Sequence, residues 1–159
     1  MQHAIDISVT VNGERVQARV EPRTHLIDFL RETLDLTGSH AGCEHGVCGA
    51  CSILVDGQMV RGCLMLAVQA DGASVQTIEG LTESGAIAAL QEAFVERNAL
   101  QCGFCTPGML VAAAELLRAH PAPTREQVRE GISGNYCRCT GYHAIIDAVI
   151  DAAATMRKG

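Results

Sequence analysis

Eight cysteines carry the chemistry this 159-residue chain can do, and they fall into two sets. Cys43, Cys48, Cys51 and Cys63 form a C-x4-C-x2-C…C series whose first three members lie in the glycine-rich stretch CEHGVCGAC. Cys102, Cys105, Cys137 and Cys139 form a C-x2-C pair and a C-x-C pair. Sulfurs grouped in this way can bridge as disulfides, bind zinc, or hold an iron–sulfur cluster. The first series has the plant-type spacing for a 2Fe–2S cluster held by four thiolates. Gly42, Gly46 and Gly49, interleaved with those cysteines, let the backbone wrap tightly and turn N–H groups toward anionic sulfur. Both sets together point to two clusters and to electron transfer.

The competing chemistries fare worse. Disulfide frameworks belong to exported chains with small cores. Here nearly half of the residues are apolar, and the first ten alternate as a strand would, with no basic start or apolar core of an export leader. Zinc is often held by C-x2-C pairs, but a four-residue gap before the pair, in a glycine-rich loop, suits iron–sulfur better. Cys43-Glu44-His45 is the first half of a Rieske pattern; the second half would need C-x2-H, and the chain reads Cys48-Gly49-Ala50-Cys51. His45 is therefore expected to be a loop residue near solvent. His3, His25, His120 and His143 are scattered and read as surface or capping residues, so no general acid, base or nucleophile is nominated.

Charge and composition narrow the partners. The formal charge is −6, and two thiolate-held clusters would take it to about −10. Such an acidic chain, without Trp and poor in other aromatics, does not suit nucleic acid. No apolar run approaches the ~18 residues of a membrane span, and no twin-arginine motif occurs, so a reducing, cytoplasmic location is expected.

The elements that must position the cysteines follow from the hydrophobic period. Ile5, Ile7, Val9 and Val11 alternate up to Asn12-Gly13, and Val16, Ala18 and Val20 alternate beyond it: a β-hairpin. Thr24 is the expected N-cap of a helix with Leu26, Ile27, Leu30 and Leu34 on one face. The cysteine loop occupies residues 37–51. A hairpin at Asp56-Gly57 and a last strand over 74–78 complete a β-grasp, ferredoxin-like unit, residues 1–78. At 79–83 the period changes, which reads as a linker, and residues 84–159 read as helical. Ile87, Leu90, Phe94 and Val95 give the face of one helix. Thr106 as N-cap with Pro107 opens a second, and Thr124 with Gln127 is a capping box for a third. Thr140 is the expected N-cap of a last helix lined by Ile145, Ile146, Val149, Ile150 and Ala153. Both later cysteine pairs then precede helix N-termini, whose free N–H groups and dipoles favour an anion. The fold class expected is α+β: a β-grasp 2Fe–2S domain followed by a four-helix-bundle 2Fe–2S domain.

With CEHGVCGAC…C, QCGFCTPGM and GNYCRCTGY in this order, the chain resembles, along nearly its whole length, the iron–sulfur subunit of the xanthine oxidase family of molybdenum hydroxylases. Carbon monoxide dehydrogenase small subunits and bacterial aldehyde and N-heterocycle dehydrogenases share the pattern. The resemblance implies a non-catalytic relay subunit passing electrons singly from a molybdopterin centre to a flavin. It implies a large molybdopterin-binding partner (with molybdopterin cytosine dinucleotide), a medium FAD-binding partner and a dimer of heterotrimers. By motif position, Gln101 and Cys139 would approach the pterin, Cys139 while also ligating iron. The alternative is a free, diffusible two-cluster ferredoxin, although such a carrier has no need of the helical half. The substrate, which would bind on another chain, is out of reach.

Overall fold

The computed structural model describes residues 4–158; His3 lies outside them. Two hairpins begin the architecture. β1 (Ile5–Val11) and β2 (Glu14–Val20) pair antiparallel around Asn12-Gly13, both at positive φ as the tight right-twisting turn requires. β3 (Ser52–Val55) and β4 (Gln58–Arg61) pair in the same way, and β5 (Ser74–Gln76) inserts between the hairpins. The sheet order is β2-β1-β5-β3-β4, with β1 and β5 parallel and the other pairs antiparallel.

Alternation along β3 divides the core. Ile53 and Val55 face one side with Val9, Val75, Phe29 and Leu30, whereas Leu54 faces the other and joins the helical core. The first side is covered by α1 (Leu26–Asp28), which runs on into a π-helical turn, Phe29–Thr33. Thr24 does not cap it: His25 holds the cap position and offers no side-chain bond. The helix's free N–H groups go to another loop instead, Leu26 N–H to Met65 O at 2.7 Å and Ile27 N–H to Gly62 O at 3.1 Å. That substitution ties α1 to the segment carrying Cys63. A short 3-10 turn, Ala67–Ala70, follows it.

Residues 79–83, where the period changes, lie within a helix. The strand expected to reach residue 78 stops at Gln76, and α2 (Ile78–Glu83) begins, with Ile78 and Leu81 buried in the helical core. Thr77 is pinned at this corner by reciprocal bonds with Asn12: Thr77 N–H to Asn12 Oδ1 and Asn12 Nδ2 to Thr77 Oγ1, each 2.9 Å.

The other side of the sheet is covered by α3 (Ala88–Glu96), α4 (Thr106–Ala119), α5 (Arg125–Gly131) and α6 (His143–Met156). Ile87, Leu90, Ala93 and Phe94 form the buried side of α3, but Val95 is 69% exposed, lying too far round the helix to share it. The Thr124–Gln127 capping box forms as expected. Thr106 and Thr140 do not cap. Cys105 and Tyr142 hold those positions, Thr106 is already within α4, and Thr140 lies two residues before the cap of α6. Two contacts fasten the second hairpin to α4: Met59 N–H donates to Glu115 Oε1 at 2.7 Å, and Arg118 donates to Gly57 O. Among the described residues no helix is long and apolar enough to cross a membrane.

Candidate functional site

The eight cysteines are free, and their sulfurs lie in neighbouring pairs: Cys43 with Cys48, Cys51 with Cys63, Cys102 with Cys139 and Cys105 with Cys137. The first set sits on the loop between α1 and β3, with Cys63 returned to it by the β3–β4 hairpin. Cys51 and Cys63 are buried on a small apolar floor with Ile27 and Ala41. Cys63 faces both Cys51 and Cys43. Backbone donors do surround the sulfur: Cys48 N–H points at Cys43 Sγ at 3.3 Å. The loop glycines serve differently from one another. Gly46 and Gly49 take left-handed φ of +85° and +75°, which a β-carbon disfavours. Gly42 does not; a β-carbon there would sit 3.0 Å from Cys48 Sγ, so it is small to admit sulfur.

In the second set Cys102 Sγ and Cys139 Sγ lie 3.5 Å apart, and Cys105 faces Cys137 and Cys102. Cys102 and Cys105 stand at the N-terminus of α4, as expected. Cys137 and Cys139 are separated from α6 by the loop Thr140–Tyr142, so that dipole acts from farther away. Gln101 and Cys139 are brought together, Gln101 Nε2 donating to Cys139 O at 3.0 Å.

The thiols are electrostatically unequal. Hydrogen bonds from the backbone of Cys48, then His45, hold Cys43 down to about 6. Burial, with the Cys51 thiol adding to it, pushes Cys63 up to about 11. Burial also pushes Cys105 up to about 12, with Cys137 contributing. At Cys137 burial works upward too, but bonds from the Thr140 hydroxyl, the Thr140 backbone and the Cys139 backbone outweigh it and the thiol lies below its ordinary value. A bound metal deprotonates a coordinating thiol outright, so these differences describe how readily each sulfur is recruited. Among the described residues no three His, Cys, Asp or Glu side chains converge on one point as a single ion would demand. A binuclear cluster asks less, two protein ligands at each iron, and paired sulfurs meet that requirement.

The two sets are joined by contacts that sequence reading missed. Cys48 O accepts from Tyr136 N–H at 2.8 Å, one residue before Cys137. Asn135 is 2% exposed, and its Nδ2 donates to Gly49 O (3.0 Å), Gly108 O (2.9 Å) and Ser52 Oγ (3.2 Å). Arg61 reaches Gly134 O at 2.7 Å and also bonds Ser52 Oγ. His40 stacks on Phe104, ring centroids 4.7 Å apart, while its Nδ1 bonds Phe104 O at 2.7 Å. His40 thereby links the first cysteine loop to the QCGFC loop. Of the histidines read as peripheral, His25, His45, His120 and His143 are exposed. The one signal for these joints was the tight GNY turn before Cys137, which marks a helix stop equally well.

Comparison with known proteins agrees with the geometry. The pattern described as 2Fe-2S iron-sulfur cluster binding domain matches residues 9–80, and that described as 2Fe-2S binding domain matches residues 77–150. The nicotine 6-hydroxylase small subunit of Paenarthrobacter nicotinovorans is 57% identical over 148 residues, covering 93% of this chain and 89% of that one. The caffeine dehydrogenase subunit gamma of Pseudomonas sp. strain CBB1 is 53% identical over 152 residues, covering 94% and 91%. A chain of the crystal structure of quinoline 2-oxidoreductase from Pseudomonas putida 86 superposes with a TM-score of 0.93 at 53% identity, covering 99% of this chain and 98% of that one. Two cluster-binding halves in this order, with relatives of this identity along almost the whole length, make the chain a member of the small 2Fe–2S subunits of the xanthine oxidase-family molybdenum hydroxylases.

Proposed function

We propose that Cys43, Cys48, Cys51 and Cys63 hold one 2Fe–2S cluster and Cys102, Cys105, Cys137 and Cys139 the other. The chain passes electrons singly between a molybdopterin, bound as its cytosine dinucleotide on a large partner, and FAD on a medium partner. The assembly is a dimer of such heterotrimers in the reducing cytoplasm. Each half of the chain, residues 1–78 and 84–159, carries one site, with 79–83 as the joint. Gln101 and Cys139 face the pterin; the Gln101 amide holds the Cys139 carbonyl and so fixes the loop on that side.

When bound, the clusters supply one-electron transfer, and the protein supplies position and electrostatics. The observation that carries the reading is the hydrogen bond between Cys48 O and Tyr136 N–H. It closes a route of covalent bonds and one hydrogen bond from the first set's Cys48 to the second set's Cys137. Asn135 and Arg61 keep the two loops from separating around that bond, and the bond's partners are backbone atoms, which side-chain motion does not interrupt.

The order of the relay is tested in the assembled complex by rapid mixing with its reducing substrate. With Cys51→Ser removing the first cluster, the second should still be reduced while reduction of the flavin becomes slow. Flavin reduced at the unaltered rate would overturn the proposed order. Sedimentation of the intact complex at the mass of a single heterotrimer would overturn the proposed stoichiometry.

A further inference from the structure

We infer that Thr140 is a tuning residue for the second cluster, donating its hydroxyl proton to Cys137 Sγ, with Tyr142 as the positioning residue that sets its direction. This rests on Cys137 being a cluster ligand, as proposed above. Thr140 Oγ1 lies 3.1 Å from Cys137 Sγ. A hydroxyl has one proton and two acceptor lone pairs. Tyr142 N–H donates to Thr140 Oγ1 at 3.2 Å, so that interaction uses a lone pair and leaves the proton for sulfur. A metal-bound thiolate has no proton to offer, so only the hydroxyl can be the donor between these two atoms.

The arrangement is built rather than incidental. Tyr142 returns to Cys137 a second time, its phenol oxygen accepting Cys137 N–H at 2.9 Å. To reach both partners Tyr142 takes a left-handed φ of 69°, which is unfavourable for a residue bearing a β-carbon. α6 begins at the next residue, so the strained position is anchored on its other side by a buried helix. Backbone N–H groups meet both Cys43 Sγ and Cys137 Sγ, and the Thr140 hydroxyl is the donor added at the second site. The two sites therefore differ in a donor that a single substitution can remove.

A hydrogen bond donated to a ligand sulfur disperses negative charge and favours the reduced cluster, which carries the extra electron. The hydroxyl should raise the potential of the second cluster relative to the same site without it. A tenfold change in the balance between oxidised and reduced forms corresponds to about 59 mV for one electron.

The test is an EPR-monitored redox titration of the assembled complex, in which the two reduced clusters are followed separately. Thr140→Val, close in size and without a donor, should lower the second cluster's potential by about 59 mV, the tenfold case. Thr140→Ser should restore most of it, and the first cluster should not move. An unchanged potential in Thr140→Val, or an equal fall in Thr140→Ser, would overturn the inference. So would equal shifts in both clusters, which would report a general disturbance. The ligand assignment itself is checked with Cys137→Ser: a second signal that persists unaltered there would remove the assignment and this inference together.

Discussion

Gly108 gives a sharp test of how the two cysteine loops are held, because two effects of known size oppose each other there. It lies in the first turn of α4, and replacing a helical glycine by alanine ordinarily stabilises by about 1 kcal/mol. Here a β-carbon would point at the backbone of the first cysteine loop. It would lie well inside the 3.0 Å that real β-carbons keep from other atoms, against Gly49 O, and 3.2 Å from Ala50 O. Gly49 O cannot retreat cheaply, because it accepts from Ser52 N–H (3.1 Å), Ser52 Oγ (2.6 Å) and Asn135 Nδ2 (3.0 Å). Forcing extra carbon into a packed contact costs roughly 1–3 kcal/mol, and each loosened hydrogen bond adds about 1 kcal/mol. The net expectation for Gly108→Ala is a loss of about 2 kcal/mol, or a fall of about 4–8 °C in the thermal midpoint for a chain of this size. Visible absorbance of the clusters reports it, in heating ramps at one fixed rate, since unfolding with cluster loss is irreversible. The magnetic interaction between the two reduced clusters should weaken as the loops move apart. A midpoint raised by the helix-propensity gain, with that interaction unchanged, would refute the close-approach argument.

Other residues make separate demands. Asn135→Ala removes a side chain, 2% exposed, whose two amide protons are shared among three acceptors, for an expected loss of about 2 kcal/mol. A thermal midpoint that does not fall in the same fixed-rate ramp would show that Asn135 is not a joint. Val95→Gln, at a position 69% exposed, should leave stability within about 0.5 kcal/mol. A loss of the size seen for buried valines would instead restore Val95 to the buried face of α3.

Much of this architecture is written in local patterns. Alternation along Ile5–Val11, the Asn12-Gly13 turn and the Thr124–Gln127 box each specify an element through neighbours a few residues away. The cysteine sets are legible for the same reason, since spacing decides which sulfurs can share a centre. The three missed caps show where local reading stops. Thr24, Thr106 and Thr140 all have the right residue type, but the N–H groups of α1 find Met65 O and Gly62 O instead. Thr140 spends its hydroxyl on Cys137 Sγ. The α2 helix is weakly marked in the local pattern because it is only six residues long and starts beside the Thr77–Asn12 bonds, which join positions 65 apart in sequence. The joint between the halves was invisible for the same reason: Asn135 bonds Gly49, 86 residues away, and nothing about an asparagine in a turn announces burial.

If eight cysteines in two sets hold two inequivalent clusters in one chain, iron analysis with EPR of the fully reduced protein should show it in wild type, Cys51→Ser and Cys105→Ser. Wild type should carry about four irons per chain and give two distinct signals, with each variant losing a different one. Zinc in place of iron, about two irons only, or a single signal that both substitutions abolish would contradict it.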